Sequence, residues 1–192
     1  GNGYDDAWIK EATEKRGLLN YRTTADCIPH LLDKKNIDML TSQGVFTVEE
    51  LHSRYEITLE NYCKTIVIEA NTMVDMAKTQ IAPAVTAYAA DVAKAAAAKK
   101  AIDSAIACGY ETDIVRRLSA LTDRIATKAD ALEDALLSLD KAENIGEESI
   151  MIRDIILGLM SELRLACDEA ETLTAKSYWP FPTYADLLFG VK

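Results

Sequence analysis

The side chains best suited to chemistry are two histidines, His30 and His52, four cysteines, Cys27, Cys63, Cys108 and Cys167, and the helix-borne carboxylates Glu56, Glu60 and Glu69. A di-metal carboxylate site in a helical bundle needs inward-facing Glu-x-x-His pairs from two helices. The single such spacing here, Glu49 to His52, leaves that pattern incomplete. His52 then reads as an exposed polar residue and His30, next to Pro29, as a packing or surface histidine. Glu56, Glu60 and Glu69 share their stretch with Lys64, Tyr55 and Tyr62, which is the composition of a solvated face. Acid–base work would need a facing group and a cleft besides. The chain has neither G-x-x-x-x-G-K nor G-x-G-x-x-G, so no phosphate-cradling loop is predicted. Lys94, Lys99 and Lys100 stand on an alanine-rich stretch and read as a solvated cationic patch. The cysteines form no C-x-x-C and fall at or near helix-periodic positions. Buried reduced thiols are expected, with a disulfide pair or a reactive thiol as the alternatives. The sequence therefore predicts no catalytic, cofactor-binding or metal-binding residue.

The surface is acidic. Twenty-one basic residues face 31 acidic ones, giving a net charge of −10 and a pI near 4.7. Such a field repels phosphate backbones and anionic lipid, so neither nucleic acid nor a membrane is an expected partner. No run approaches the roughly 20 continuous apolar residues of a membrane span. The start, Gly1-Asn2-Gly3, has no signal-peptide pattern and no initiator methionine. A segment cut from a larger cytoplasmic protein, or a processed product, is expected.

What must position these residues is helical. Between Thr47 and Cys108 there is no glycine, and Pro83 is the one proline. Thr47-Val48-Glu49-Glu50 has the form of a capping box. Leu51, Tyr55, Tyr62, Ile66, Met73, Ala77, Ile81, Val85, Tyr88 and Val92 recur at helical spacing, so one long helix is predicted. Pro83 should kink or split it, because proline removes a ladder hydrogen bond and crowds the preceding turn. A second long helix is predicted over 111–142, on Ile114, Leu118, Leu121, Ile125, Ala129, Leu132, Leu136 and Leu139. A third follows over 147–176, on Ile152, Ile156, Leu159, Leu163, Cys167, Ala170 and Leu173, with Gly158 as a close-packing or weak position. Short breaks between long amphipathic helices imply antiparallel neighbours. The fold class is thus all-α, an elongated up-down bundle of three long helices. Short helices precede it: 4–16 closed by Gly17, a segment capped by Thr24 and running to Leu32, and 36–43 closed by Gly44. The whole chain is read as one domain, with short helices over 1–46, the bundle over 47–176 and a tail over 177–192.

That tail changes character. Tyr178-Trp179-Pro180-Phe181-Pro182-Thr183-Tyr184 is aromatic and punctuated by proline, and each proline biases its predecessor to extended geometry. Thr183 can cap a short turn behind it. Trp179, Phe181, Tyr184, Leu187, Leu188 and Phe189 are the candidate interface residues, because such a cluster should dock on the bundle or on a partner.

Several runs resemble the C-terminal helical region of type III glutamine synthetases. They are Gly3-Tyr4-Asp5-Asp6-Ala7-Trp8-Ile9-Lys10-Glu11-Ala12, Thr23-Thr24-Ala25-Asp26, Glu60-Asn61-Tyr62-Cys63-Lys64-Thr65-Ile66-Val67-Ile68-Glu69-Ala70, Leu132-Glu133-Asp134-Ala135-Leu136, and Tyr178 to Tyr184 with Asp186-Leu187-Leu188-Phe189. The resemblance implies a parent enzyme, a glutamate–ammonia ligase, that makes glutamine from glutamate, ammonia and ATP with Mg or Mn. It implies stacked hexameric rings, and a catalytic region of the same chain as the partner of this segment. It carries no catalytic residue onto these positions. The expected role is packing or assembly of the oligomer. The alternative is a free-standing helical module that binds an unrelated protein.

Overall fold

The computed structural model of the chain describes residues 3–182 and 184–190. Among them the regular structure is helical and no strand occurs, with three long helical runs of 55, 33 and 29 residues. The chain divides into two compact units. One holds residues 1–65 and 142–153, the other 66–141 and 154–192.

In the first unit, helix α1 (Asp6–Lys10) starts at Asp5, whose carboxylate accepts the Ala7 N–H, and continues as a widened π turn through Glu11–Lys15. Gly17 turns the chain at φ +65°, a left-handed conformation that costs glycine little. Helix α2 (Thr24–Cys27) is capped by Thr23, one residue before the predicted cap. The Thr23 hydroxyl accepts the Asp26 N–H at 3.2 Å and donates to the Asp26 carboxylate at 2.7 Å. A 3₁₀ turn, Ile28–Leu32, takes Pro29 in its first turn, where the missing N–H is not needed. Helix α3 (Lys34–Ser42) ends before Gly44, again at φ +65°. Helix α4 (Val48–Met76) opens with the predicted capping box: Glu50 N–H donates to the Thr47 hydroxyl at 3.2 Å, and Thr47 N–H to the Glu50 carboxylate at 2.8 Å. Helix α7 (Ile145–Met151) is capped by Asn144, which accepts from Glu147 N–H at 3.0 Å.

The second unit carries the larger core. Helix α5 (Ala82–Ile102) packs against α6 (Gly109–Ser138), and α6 packs in turn against α8 (Leu157–Leu173). The α6 seam matches its sequence pattern. Ile114, Leu118, Leu121, Ile125, Ala129 and Leu132 are all buried, whereas Leu137, one step off the seam, is 69% exposed. Ile156, Leu163, Ala166, Cys167 and Ala170 supply the facing surface. Across this interface Lys128 pairs with Glu162 at 2.5 Å, and from the turn before α5 Lys78 reaches both Asp130 and Glu133 on α6.

The long first helix differs from its prediction in three ways. It neither splits nor stops at Pro83. A π turn, Ala77–Ile81, joins α4 to α5 immediately upstream, with Ala82 N–H donating to the Ala77 carbonyl five residues back. Widening the turn lets the ladder pass a residue that has no N–H to give. The helix ends at Ile102, short of Cys108, because Asp103 leaves the helical region and its carboxylate accepts the Ala105 N–H at 2.8 Å. The buried stripe is also shifted. Leu59, Cys63, Ala70 and Val74 are buried, while Tyr62, Ile66 and Met73 are half-buried flanks.

Gly158 is not a close-packing position. A methyl group there would meet no side chain or neighbouring helix within 4 Å. Gly158→Ala should therefore stabilise the domain by about 1 kcal/mol, the usual helix-interior difference. Urea unfolding should show a higher midpoint with an unchanged slope. Gly146 is the opposite case: an added Cβ would lie 2.9 Å from the Tyr55 hydroxyl.

Candidate interface and buried thiols

The last helix of the second unit stops where Thr174 turns extended, its hydroxyl donating back to the Ala170 carbonyl at 2.8 Å. The chain then turns through Tyr178 N–H to the Ala175 carbonyl, which sets the two aromatic residues. Tyr178 donates its phenol to Asp91 on α5 at 2.6 Å, and its ring lies 5.2 Å from that of Tyr88. Asp91 also accepts from Lys94 at 2.9 Å. The Tyr178 hydrogen bond, and then Lys94, hold the Asp91 carboxyl below its ordinary value of 3.8. The same bond to Asp91 raises the Tyr178 phenol above 10.0. The carboxylate's contribution is present above its ordinary value and lost as pH falls through the lowered one. The phenol's is present below pH 10.0 and lost as pH rises further. This latch is accordingly silent around neutrality.

Beside it, half-buried Trp179 closes one side of a cavity of about 300 Å³, whose other walls include Met73, Met76, Ile81, Leu163 and Cys167. Phe181 meets the indole edge-on at 6.4 Å. Helix α9 (Tyr184–Phe189) follows, tied by an ion pair between Lys176 and Asp186. Its Leu187, Leu188 and Phe189 are 70%, 55% and 81% exposed. The candidate cluster is thus divided: Trp179 and Phe181 have neighbours within this chain, and Leu187 to Phe189 present apolar surface. The Tyr184 side chain and the Thr183 cap lie outside the described residues. Trp179→Ala should lower unfolding stability by about 1–3 kcal/mol, the range for partial burial plus an aromatic pair. An unchanged urea midpoint would show that the indole contacts hold nothing.

In the first unit the residues that carry the family resemblance meet one another. Asp26 accepts from Arg153 at 2.6 Å as well as from Thr23, and the Thr23 and Arg153 hydrogen bonds hold its carboxyl below the usual range. Ala25 is buried beside it. Burial raises the Tyr62 phenol, with further contributions from Cys63 and Asp26. Its hydroxyl oxygen is buried without a hydrogen-bond partner. The Arg153–Asp26 pair ties the π turn after α7, Ile152–Ile156, to α2.

The remaining candidates are placed as follows. His30 stacks on Tyr21 at 4.3 Å and pairs with Asp33 at 3.0 Å, while His52 is exposed. Glu56, Glu60 and Glu69 are exposed, with Glu60 paired to Lys64. Lys99 pairs with Glu111, and Lys100 donates to the Ser104 carbonyl at 2.7 Å. All four cysteines are free thiols. Cys63, Cys108 and Cys167 are buried as expected, but Cys27 is exposed, because it ends a four-residue helix that turns only Ala25 inward. Among the described residues no three His, Cys, Asp or Glu side chains are grouped to hold a metal ion, and no helix is long and apolar enough to cross a membrane.

The described residues define an all-helical domain. The chain belongs to the glutamine synthetase C-terminal domain family, whose model matches residues 1–100. Over its whole length it is 37% identical to a glutamine synthetase of Butyrivibrio fibrisolvens. Over 98% of its length it is 27% identical to a type-3 glutamine synthetase of Dictyostelium discoideum and 24% identical to a glutamine synthetase of Bacteroides fragilis. It spans 27%, 26% and 26% of those proteins, respectively.

Proposed function

We propose that this chain is the C-terminal domain of a cytoplasmic type III glutamine synthetase, and that it serves packing and assembly of that enzyme, not its chemistry. One observation carries the reading: the chain aligns end to end with glutamine synthetases while spanning about a quarter of them. The parent joins ammonia to the γ-carboxyl of glutamate at the expense of ATP. No group of described residues here fits the divalent metal, Mg or Mn, that such a synthesis uses. Metal and ATP are assigned to the region of the parent outside this chain.

The assembly role is supported by what the helices leave uncovered. Leu187, Leu188 and Phe189 lie exposed at one end of the chain, and Leu18, Leu19 and Tyr4 at the other. Exposed apolar side chains that follow one another along the chain, as these do at Leu18–Leu19 and Leu187–Phe189, suit contact with further protein. A catalytic region of the same chain, within a homo-oligomer of stacked hexameric rings, is the proposed partner. The test is expression of the full reading frame and assay of ATP-dependent glutamine formation. Glutamine formation is expected. A frame without that activity would leave a free-standing interaction module as the better reading.

A further inference from the structure

The N-terminal quarter of this domain folds without a core of its own. Among described residues 3–50 only two side chains are buried, Ala12 and Ala25. The large apolar side chains from Ile28 to Phe46 are all partly exposed, and none is fully buried. Residues 14–22 are exposed at every position, and this run includes Leu18, Leu19 and Tyr21. Leu19 is 69% exposed and Leu18 53%, and Trp8 on the preceding helix is 38% exposed. By contrast α6 alone buries Leu118, Ile125 and Leu132 completely.

The segment is nonetheless ordered by specific local bonds. Leu18 N–H donates to the Ala12 carbonyl at 2.9 Å, Gly17 turns left-handed, and Arg16 lies over the Trp8 ring at 5.0 Å. Its charge is also unlike the rest. Residues 1–46 carry six Lys or Arg against seven Asp or Glu, so nearly all of the net −10 lies elsewhere. An ordered surface that exposes Leu18 and Leu19, with its charges nearly balanced, offers apolar area to a partner without the repulsion of a strongly acidic face.

From this we infer that the face bearing Trp8, Leu18, Leu19 and Tyr21 is the docking surface for the region of the same polypeptide that precedes this domain. The inference rests on the proposed function and names the contact face within it. The occupant is chosen on length and position. The chain matches a C-terminal domain and covers 27% of its Butyrivibrio relative, so most of such a protein precedes residue 1, close to this face. Covering the face gives the first 46 residues the buried apolar area they lack.

The test uses the full-length protein with a benzoylphenylalanine photocrosslinker in place of Leu19, a position with room because it is exposed. Irradiation and peptide mass spectrometry should find the probe joined to residues upstream of Gly1. Mixed light and heavy isotope subunits should show the link within one chain. Hydroxyl-radical footprinting of the unsubstituted protein gives a second readout. Residues 18–21 should label about as weakly as buried Leu118. Crosslinks confined to this domain or to a second copy would overturn the inference, as would no crosslink. Labelling of 18–21 as strong as in urea would also overturn it. Glutamine formation is assayed on the same preparation. If no glutamine forms, the proposed function fails. If glutamine forms and the probe does not reach upstream, the docking face alone fails.

Discussion

Leu118→Ala should destabilise the domain by about 2–5 kcal/mol, whereas Leu137→Ala on the same helix should change stability by less than about 0.5 kcal/mol. Both residues are leucines on α6, so helix propensity contributes equally to the two substitutions. Leu118 is 0% exposed, on the helix that packs against both α5 and α8, and Leu137 is 69% exposed. Truncating Leu118 forfeits the transfer free energy of its methyl groups and leaves a cavity that the close-packed neighbours fill only in part. Urea unfolding of the pair measures the contrast directly. Equal effects would mean that the α6 seam is not the core of the second unit.

At pH 8 exposed Cys27 should react with a disulfide reagent at least about tenfold faster than Cys63 or Cys167, after the greater nucleophilicity of the high-pKa thiolates is allowed for. Burial pushes the Cys63 and Cys167 thiols up to about 11, with Glu148 adding to the first and Asp168 to the second. At pH 8 a thiol of that pKa is roughly 0.1% thiolate, against roughly a quarter for an ordinary cysteine near 8.5. Restricted access to the buried sulfurs widens the gap further. Cys27 is exposed and should react first with a disulfide reagent. Stopped-flow labelling with peptide identification is the measurement. Cys63 or Cys167 reacting as fast as Cys27 would show that the helices around them open on the labelling timescale. The Cys63 and Cys167 rates should rise about tenfold per pH unit, because both thiols stay protonated throughout the neutral range.

The three long helices were legible in the sequence because each buries one stripe against a neighbour. On α6 the pattern from Ile114 to Leu132 names the buried residues one by one. The first long helix was legible as a helix but less so as a face. Hydrophobicity ranks Tyr62, Ile66 and Met73 above Cys63 and Ala70, yet close helix approach favours the smaller side chains and moves the larger ones to the flank. The π turn before Pro83 has no sequence signal beyond the proline itself. Helix ends were displaced where a side chain one residue away made the capping bond, as Thr23 does for α2 and Asp103 for the loop after α5. The tail was visible as an aromatic cluster, but its division at Phe181 depends on the phenol–carboxylate bond from Tyr178 to Asp91, 87 residues apart. Nor does periodicity show that Ala12 and Ala25 are the only buried side chains among the described residues 3–46.

The central claim is that this domain organises an enzyme whose chemistry lies elsewhere. Sedimentation velocity on the full-length protein and on a version ending before Gly3, each assayed for glutamine formation, tests it most directly. One large, active assembly is expected for the intact protein, and smaller or heterogeneous species for the shortened one. Activity should fall in step with the loss of assembly. A shortened protein that sediments as the intact one and makes glutamine at the same rate would contradict the account.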